Sequence, residues 1–148
     1  MDEVNVRRAE LADLPRIVEI ERASFDDPYP PEYLEMLMRF NQGIFMVAER
    51  EGVPIGYVAA SMRGKTGHVL SIAVYPEERG RGVGRGLMGR VVEELKAREA
   101  SSIVLESKKG NPAIDFYLRF GFRQVGTMPG YYDDGSEAIS MELDIDRA

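Results

Sequence analysis

Between residues 77 and 90 the chain reads EERGRGVGRGLMGR, five glycines and four arginines in fourteen positions. Glycine inside a helix costs about 1 kcal/mol against alanine, so a stretch this dense calls for a functional reason. The preceding HVLSIAVYP (68 to 76) reads as a strand stopped by Pro76, and the spacing of Leu87, Met88, Val91 and Leu95 predicts a helix from 83 to about 99. A strand, a glycine turn and a helix N-terminus make an anion site, because free N–H groups and the helix dipole converge there. Arg79, Arg81 and Arg85 add local positive charge to a chain whose formal net charge is −6. Other chemistries find less support. There is no cysteine, which excludes a disulfide framework, a thiolate zinc site and a cysteine nucleophile. The single histidine, His68, has no partner at ligand spacing and reads as a surface or capping residue, so no metal is expected.

The elements that must position this loop follow from periodicity. Residues 11 to 23 carry Leu11, Leu14, Ile17 and Val18 on one helical face, FDDPYPP (25 to 31) is a proline-rich loop, and a short helix over 31 to 39 turns Leu34, Leu37 and Met38 inward. IFMVAEREGVPIGYVAASM holds two apolar runs split by REG, a hairpin with Gly52 in the turn. SSIVLES (101 to 107) is a buried strand, a helix runs from about 113 to 120 until Gly121, and two strands near 122–128 and 137–144 follow. The length suits one domain, taken as 1–148, of mixed α/β architecture in the α+β class. Glu94 and Arg98 are spaced for an i,i+4 ion pair on the outer face of the long helix.

Two phosphate-binding patterns overlap in the loop. Gly84-Arg85-Gly86-Leu87-Met88-Gly89 satisfies the dinucleotide fingerprint, with Glu106 imitating the ribose-binding acid, but four residues intervene after the strand and all three glycines fall inside the apolar-periodic helix. Arg79-Gly80-Arg81-Gly82-Val83-Gly84 instead resembles the pyrophosphate loop of the GNAT superfamily of acyl-CoA-dependent N-acyltransferases. HVLSIAVYPEE resembles that family's fourth strand, and IVLESKKGNPAIDFYLRFGF its fifth-strand glutamate and following segment. VRRAELADLPRIVEIERASF with DDPYPP, and the tail YYDDGSEAISMEL, resemble the branch of RimI-type and archaeal Ard1-like enzymes that acetylate protein N-termini. The likeness covers nearly the whole chain.

That resemblance implies a GNAT fold: a central mixed, mostly antiparallel sheet flanked by helices and splayed between its fourth and fifth strands. It implies acetyl-CoA as cofactor, its pantetheine arm along Ile72, Ala73 and Val74, its diphosphate on Arg79, Gly80, Arg81, Gly82, Val83 and Gly84, and its thiol end near Asn111 and Tyr117. Glu106 is then the general base and Tyr117 the general acid. Between them lie eleven steps where the RimI pattern has twelve, so Gly110 shares with Asn111 the claim to the cofactor-contacting position. Asp27, in the loop after the first helix, is a second candidate base. Phe25, Tyr29, Tyr131 and Tyr132 form an aromatic clamp for a peptide. Read as residues alone, Glu106 is equally a strand-end carboxylate bridged to Lys108 or Arg123, and Tyr117 equally a core side chain beside Phe116 and Phe120.

The chemistry suits such an acceptor. An α-amine of pKa near ~8 costs about 1.4 kcal/mol to deprotonate at pH 7, against roughly 4.6 for a lysine near ~10.4. The activity expected is therefore acetyl transfer from acetyl-CoA to the N-terminal α-amine of a protein or peptide. A small-molecule amine or a lysine side chain is the alternative acceptor, and a catalytically silent acyl-CoA-binding module the alternative class. The acidic balance disfavours nucleic acid as a partner, and no run of about 18 apolar residues addresses a membrane. The acidic Met1-Asp2-Glu3 opening and the absent cysteines point to the cytoplasm. A monomer is the default state, with the ribosome or an auxiliary subunit as the partners the resemblance allows.

Overall fold

The computed structural model describes residues 3–40 and 44–145. Seven strands form one sheet in the order β1-β2-β3-β4-β5-β7-β6: β1 (Val4–Arg8), β2 (Phe45–Arg50), β3 (Val53–Arg63), β4 (Thr66–Val74), β5 (Ser102–Lys108), β6 (Arg123–Met128) and β7 (Ala138–Asp144). Every neighbouring pair is antiparallel except β4 and β5, which run parallel. Four helices cover it: α1 (Leu14–Ser24), α2 (Pro31–Phe40), α3 (Val83–Ala97) and α4 (Ala113–Phe120). The periodic readings hold to within two residues, except that α1 starts at Leu14, after a 3₁₀ turn over Leu11–Asp13, where the spacing places the helix from 11, and save one omission. Strand β1 was not anticipated, because VNVRR has only two apolar side chains and its strand character comes from pairing Val6 with Ala48 at the sheet edge.

The two faces of the sheet carry separate cores. On one, Ile17 and Ile20 of α1 and Leu34 and Leu37 of α2 pack on Phe45, Val47, Tyr57 and Ala73. On the other, Leu87, Met88, Val91 and Leu95 of α3 pack on Met46, Ala48, Val58, Val69 and Ile103, and Tyr117 of α4 joins them. Covered on both faces, β2 and β3 read as continuous apolar runs instead of alternating ones. The hairpin between them turns through Glu51 and Gly52, both at positive φ (52° and 80°). Glu94 and Arg98 make the anticipated pair at 3.7 Å.

The parallel junction positions the site. β4 meets β5 over only three pairs, Thr66 with Ser102, Gly67 with Ile103 and His68 with Val104. A Cβ on Gly67 would lie 2.8 Å from Leu95, so glycine there is what lets the C-terminal end of α3 close down on the paired end. Beyond His68 the strands part, leaving the β5-facing side of residues 69–74 without a strand partner. The first turn of α3 and the first turn of α4 approach one another over this opening, where Gly84 lies against the Phe116 ring. Among the described residues no helix is long and apolar enough to cross a membrane.

Candidate active site

A cavity of about 690 Å³ opens at the splay. One wall is Ile72, Ala73 and Val74 of β4, and its floor is the glycine-arginine loop with the start of α3. Gly80 and Gly82 sit at φ +79° and +83°, a left-handed backbone that glycine adopts without strain, and space is open where each Cβ would be. Among the described residues no backbone carbonyl accepts from the amides of residues 80–85; the first internal bond is Gly86 N to Gly82 O at 3.0 Å. A helix N-terminus of fifteen residues thus presents free donors to a cavity large enough for an elongated ligand ending in a diphosphate. The helix begins at Val83, so all three glycines of the dinucleotide fingerprint lie within it and that pattern builds no strand-to-helix turn.

The arginines divide the work. Arg79 lines the cavity, but its Nε donates to Val74 O at 3.0 Å and ties the loop to the strand end. Arg85 lines the cavity, whereas Arg81 is not among the lining residues and is largely exposed. Glu78 brings a carboxylate to the same wall. Arg50, from the end of β2, donates to it at 2.8 Å, and Arg81 stands 3.7 Å away, so the charge that would repel a phosphate is matched.

Glu106 lies on β5, two residues beyond the last parallel pair, on the face that His68 shares across the junction. His68 Nε2–H donates to Glu106 Oε1 at 2.7 Å. Neither sequence alternative for Glu106 survives: Lys108 is bonded to Asp134 at 2.7 Å, and Arg123 to Glu142 at 2.8 Å. His68 is likewise not a capping or isolated surface residue but the partner of this carboxylate. Burial first, and then the nearby Glu106 charge, push the Tyr131 phenol up; burial, Tyr131 and Glu106 do the same to Tyr132. Two tyrosines therefore face the acid from the turn before β7.

Tyr117 lines the cavity from α4, packed edge-on to Phe116 (5.5 Å between rings) and Phe122 (6.1 Å). Burial, with Tyr132 as the second cause, pushes its phenol up to about 12, so it stays protonated throughout the physiological range. Asn111 also lines the cavity, with Oδ1 accepting from Ala113 N at 2.9 Å to hold the start of α4. Phe25 reaches the cavity wall beside Ser24. Tyr29 packs tilted against Tyr33, 4.7 Å between rings, and is pushed up to about 12 by burial first, then by Tyr33, Glu21, Tyr131 and Tyr132. Tyr131 and Tyr132 pack edge-on at 4.9 Å and lie near enough to Tyr29 to act on its phenol, but of the four aromatic residues only Phe25 lines the cavity, and Glu106 does not line it either. Asp27 is exposed in the loop after α1, near enough to act on the charge of Lys108, and does not line the cavity. Among the described residues no group of three or more His, Cys, Asp and Glu could hold a metal ion.

Residues 14–122 match the sequence profile of the acetyltransferase (GNAT) family. The chain belongs to the GNAT acetyltransferase family. It is accordingly an N-acetyltransferase with the fold of that family, and its acyl donor is acetyl-CoA. Among its relatives is an uncharacterized N-acetyltransferase, MJ1530, of Methanocaldococcus jannaschii, 37% identical over 139 residues that cover 92% of this chain and 88% of that one. An N-alpha-acetyltransferase of Sulfolobus acidocaldarius is 33% identical over 151 residues, 92% of this chain and 89% of the relative. The crystal structure of Ard1 from Thermoplasma volcanium superposes with a TM-score of 0.92 at 26% identity, covering 96% and 97% of the two chains. Within this GNAT chain, sequence reasoning missed His68, Arg50 and Glu78. A helix between two strands is the usual crossover of a parallel pair, and a histidine heading the first of them was the available signal for the pair with Glu106.

Proposed function

We propose that this GNAT enzyme acetylates the N-terminal α-amine of proteins or peptides by direct attack, as a RimI-type, Ard1-like enzyme of the cytoplasm working as a monomer. The observation that carries the reading is the Glu106–His68 pair at the strand junction, with Tyr131 and Tyr132 near enough for the carboxylate to raise their phenols, beside the cavity that Tyr117 lines. The relatives named N-alpha-acetyltransferases support it. Acetyl-CoA supplies an acetyl group activated as a thioester. Its diphosphate fits the free amides of residues 80–85 and its arm the unpaired side of β4, where backbone N–H groups can polarise a carbonyl.

With His68 occupying Oε1, the other carboxylate oxygen of Glu106 accepts the proton of the acceptor amine. Tyr117 holds at its hydroxyl the proton that a departing thiolate takes. No covalent enzyme intermediate is needed, in keeping with the absence of cysteine. Tyr29, Tyr131 and Tyr132 present hydroxyls and ring faces to the first residues of a peptide backbone.

The test is a panel of substrates incubated with acetyl-CoA while free thiol is followed. At neutral pH about 10² more of an α-amine than of a lysine is unprotonated, so peptides with a free N-terminus should turn over at least that much faster than N-blocked lysine peptides. Turnover on small amines with none on any peptide would reassign the acceptor. The cofactor side is tested by Gly82→Ala. Alanine would have to hold φ +83° against about 1–2 kcal/mol of strain, so CoA should bind roughly tenfold more weakly by calorimetry. Because nothing lies within 4 Å of that Cβ, the cost is backbone strain without a clash, and the thermal midpoint should fall by only a few degrees. Unchanged affinity would take the diphosphate off this loop.

A further inference from the structure

Among the described residues Glu21 is a carboxylate without a cation. It sits on α1, 2% exposed, beside the core in which Ile17 and Ile20 pack on Phe45 and Val47 of the sheet. Burial holds its carboxyl above the usual range, against the hydrogen bonds that favour its charge. A leucine or methionine in that place would bury apolar surface instead of a charge, which is expensive to desolvate unless paired. What the acid does there is visible in its partners. Oε1 accepts from the Tyr57 hydroxyl of β3, which also bonds Ser71 Oγ of β4 at 2.7 Å. Oε2 accepts from the backbone N–H of Tyr29 at 2.9 Å.

Tyr29 lies in the loop between α1 and α2, whose proline content leaves it few donors: Pro28, Pro30 and Pro31 have no N–H. Among the described residues, the bond from Tyr29 to Glu21 is the one hydrogen bond recorded from the amides of Asp26, Asp27 and Tyr29 to the rest of the chain. At its other end the network reaches Ser71, adjacent in sequence to Ile72 on the cavity wall. We infer that Glu21 is a positioning residue for the acceptor: through the Tyr29 amide on one side and Tyr57 with Ser71 on the other, it sets the height of the tyrosine-bearing loop over the β4 wall. This rests on the reading of that loop as the acceptor side.

The experiment compares Glu21→Ala, Glu21→Gln and Tyr57→Phe in the full chain. Glutamine can still accept from the Tyr29 amide and rewire its NH₂ to the Tyr57 oxygen, so it should keep the loop in place; alanine cannot. For Glu21→Ala, peptide KM should rise about tenfold while kcat and the CoA dissociation constant stay within about threefold, and Glu21→Gln should restore KM to within about threefold of the parent. Tyr57→Phe, which keeps the ring in the core and leaves the carboxylate one donor short, should raise peptide KM by about threefold and serves where the alanine variant does not fold. Hydrogen exchange read at residues 26–29 keeps the test independent of the acceptor assignment: faster exchange in Glu21→Ala but not in Glu21→Gln supports the tether even if no peptide is a substrate. Equal losses for peptide and CoA, equal effects of alanine and glutamine, or unchanged loop exchange would overturn it.

Discussion

Glu106→Gln should lower kcat on an N-terminal peptide by about 10²- to 10³-fold while leaving CoA affinity within about twofold, since one positioned base typically contributes on that scale. The substitution keeps shape and keeps an oxygen for the His68 N–H, so the 2.7 Å contact across the β4–β5 junction survives. What disappears is the carboxylate that takes the amine proton. His68→Ala should cost less, about tenfold, because it removes the orientation of the acid and not the acid. Asp27→Asn completes the set: exposed and outside the cavity lining, it should change kcat by under about threefold. Steady-state kinetics with calorimetric CoA titration decide the matter. If Glu106→Gln keeps more than about a third of the parent rate and Asp27→Asn does not, the base is Asp27; if the parent binds CoA tightly but turns over no amine at all, the silent-module reading stands.

Removing the Tyr117 hydroxyl should cost about 10²-fold in kcat, again with CoA affinity unchanged. Phenylalanine preserves the ring contacts with Phe116 and Phe122, and a phenol at about 12 is protonated at any working pH, so the loss isolates proton donation. The measurement that separates an acid from a packing residue is the leaving group. A donor thioester whose thiol is far more acidic than the ordinary ~8.5 needs no proton on departure, and on it Tyr117→Phe should come back to within about threefold of the parent. An equal deficit on both donors would make Tyr117 a wall of the cavity and nothing more.

Much of this was legible before folding. The glycine-arginine run is read from its own spacing, because a strand stop, left-handed glycines and a helical apolar period are local properties. The same holds for α3 and α4 and for the β2–β3 hairpin. Strand β1 was illegible for the converse reason: two valines among charged residues acquire strand geometry only by pairing with β2. Arg50 and Glu78 stand 28 residues apart, and His68 and Glu106 38 apart, so no window contains either pair. The bland alternatives for Glu106 failed because Lys108 and Arg123 found other acids in register, on the turn before β7 and on β7 itself.

What the amino-acid order determined by itself was an inventory of local chemistry: an anion-binding loop, a strand-end acid, a phenol on a short helix, a proline-rich loop and no thiol. Which of these meet was a tertiary decision. Gly67 lets Leu95 close one end of the parallel junction, three residue pairs later the strands separate, and the separation creates the cavity while leaving His68 beside Glu106 at its apex. The crossover can be read from the order of strand, helix and strand, but the length of the parallel pairing has no signature in any stretch of sequence, because it depends on side chains that meet from elsewhere in the chain, as Leu95 of α3 meets Gly67.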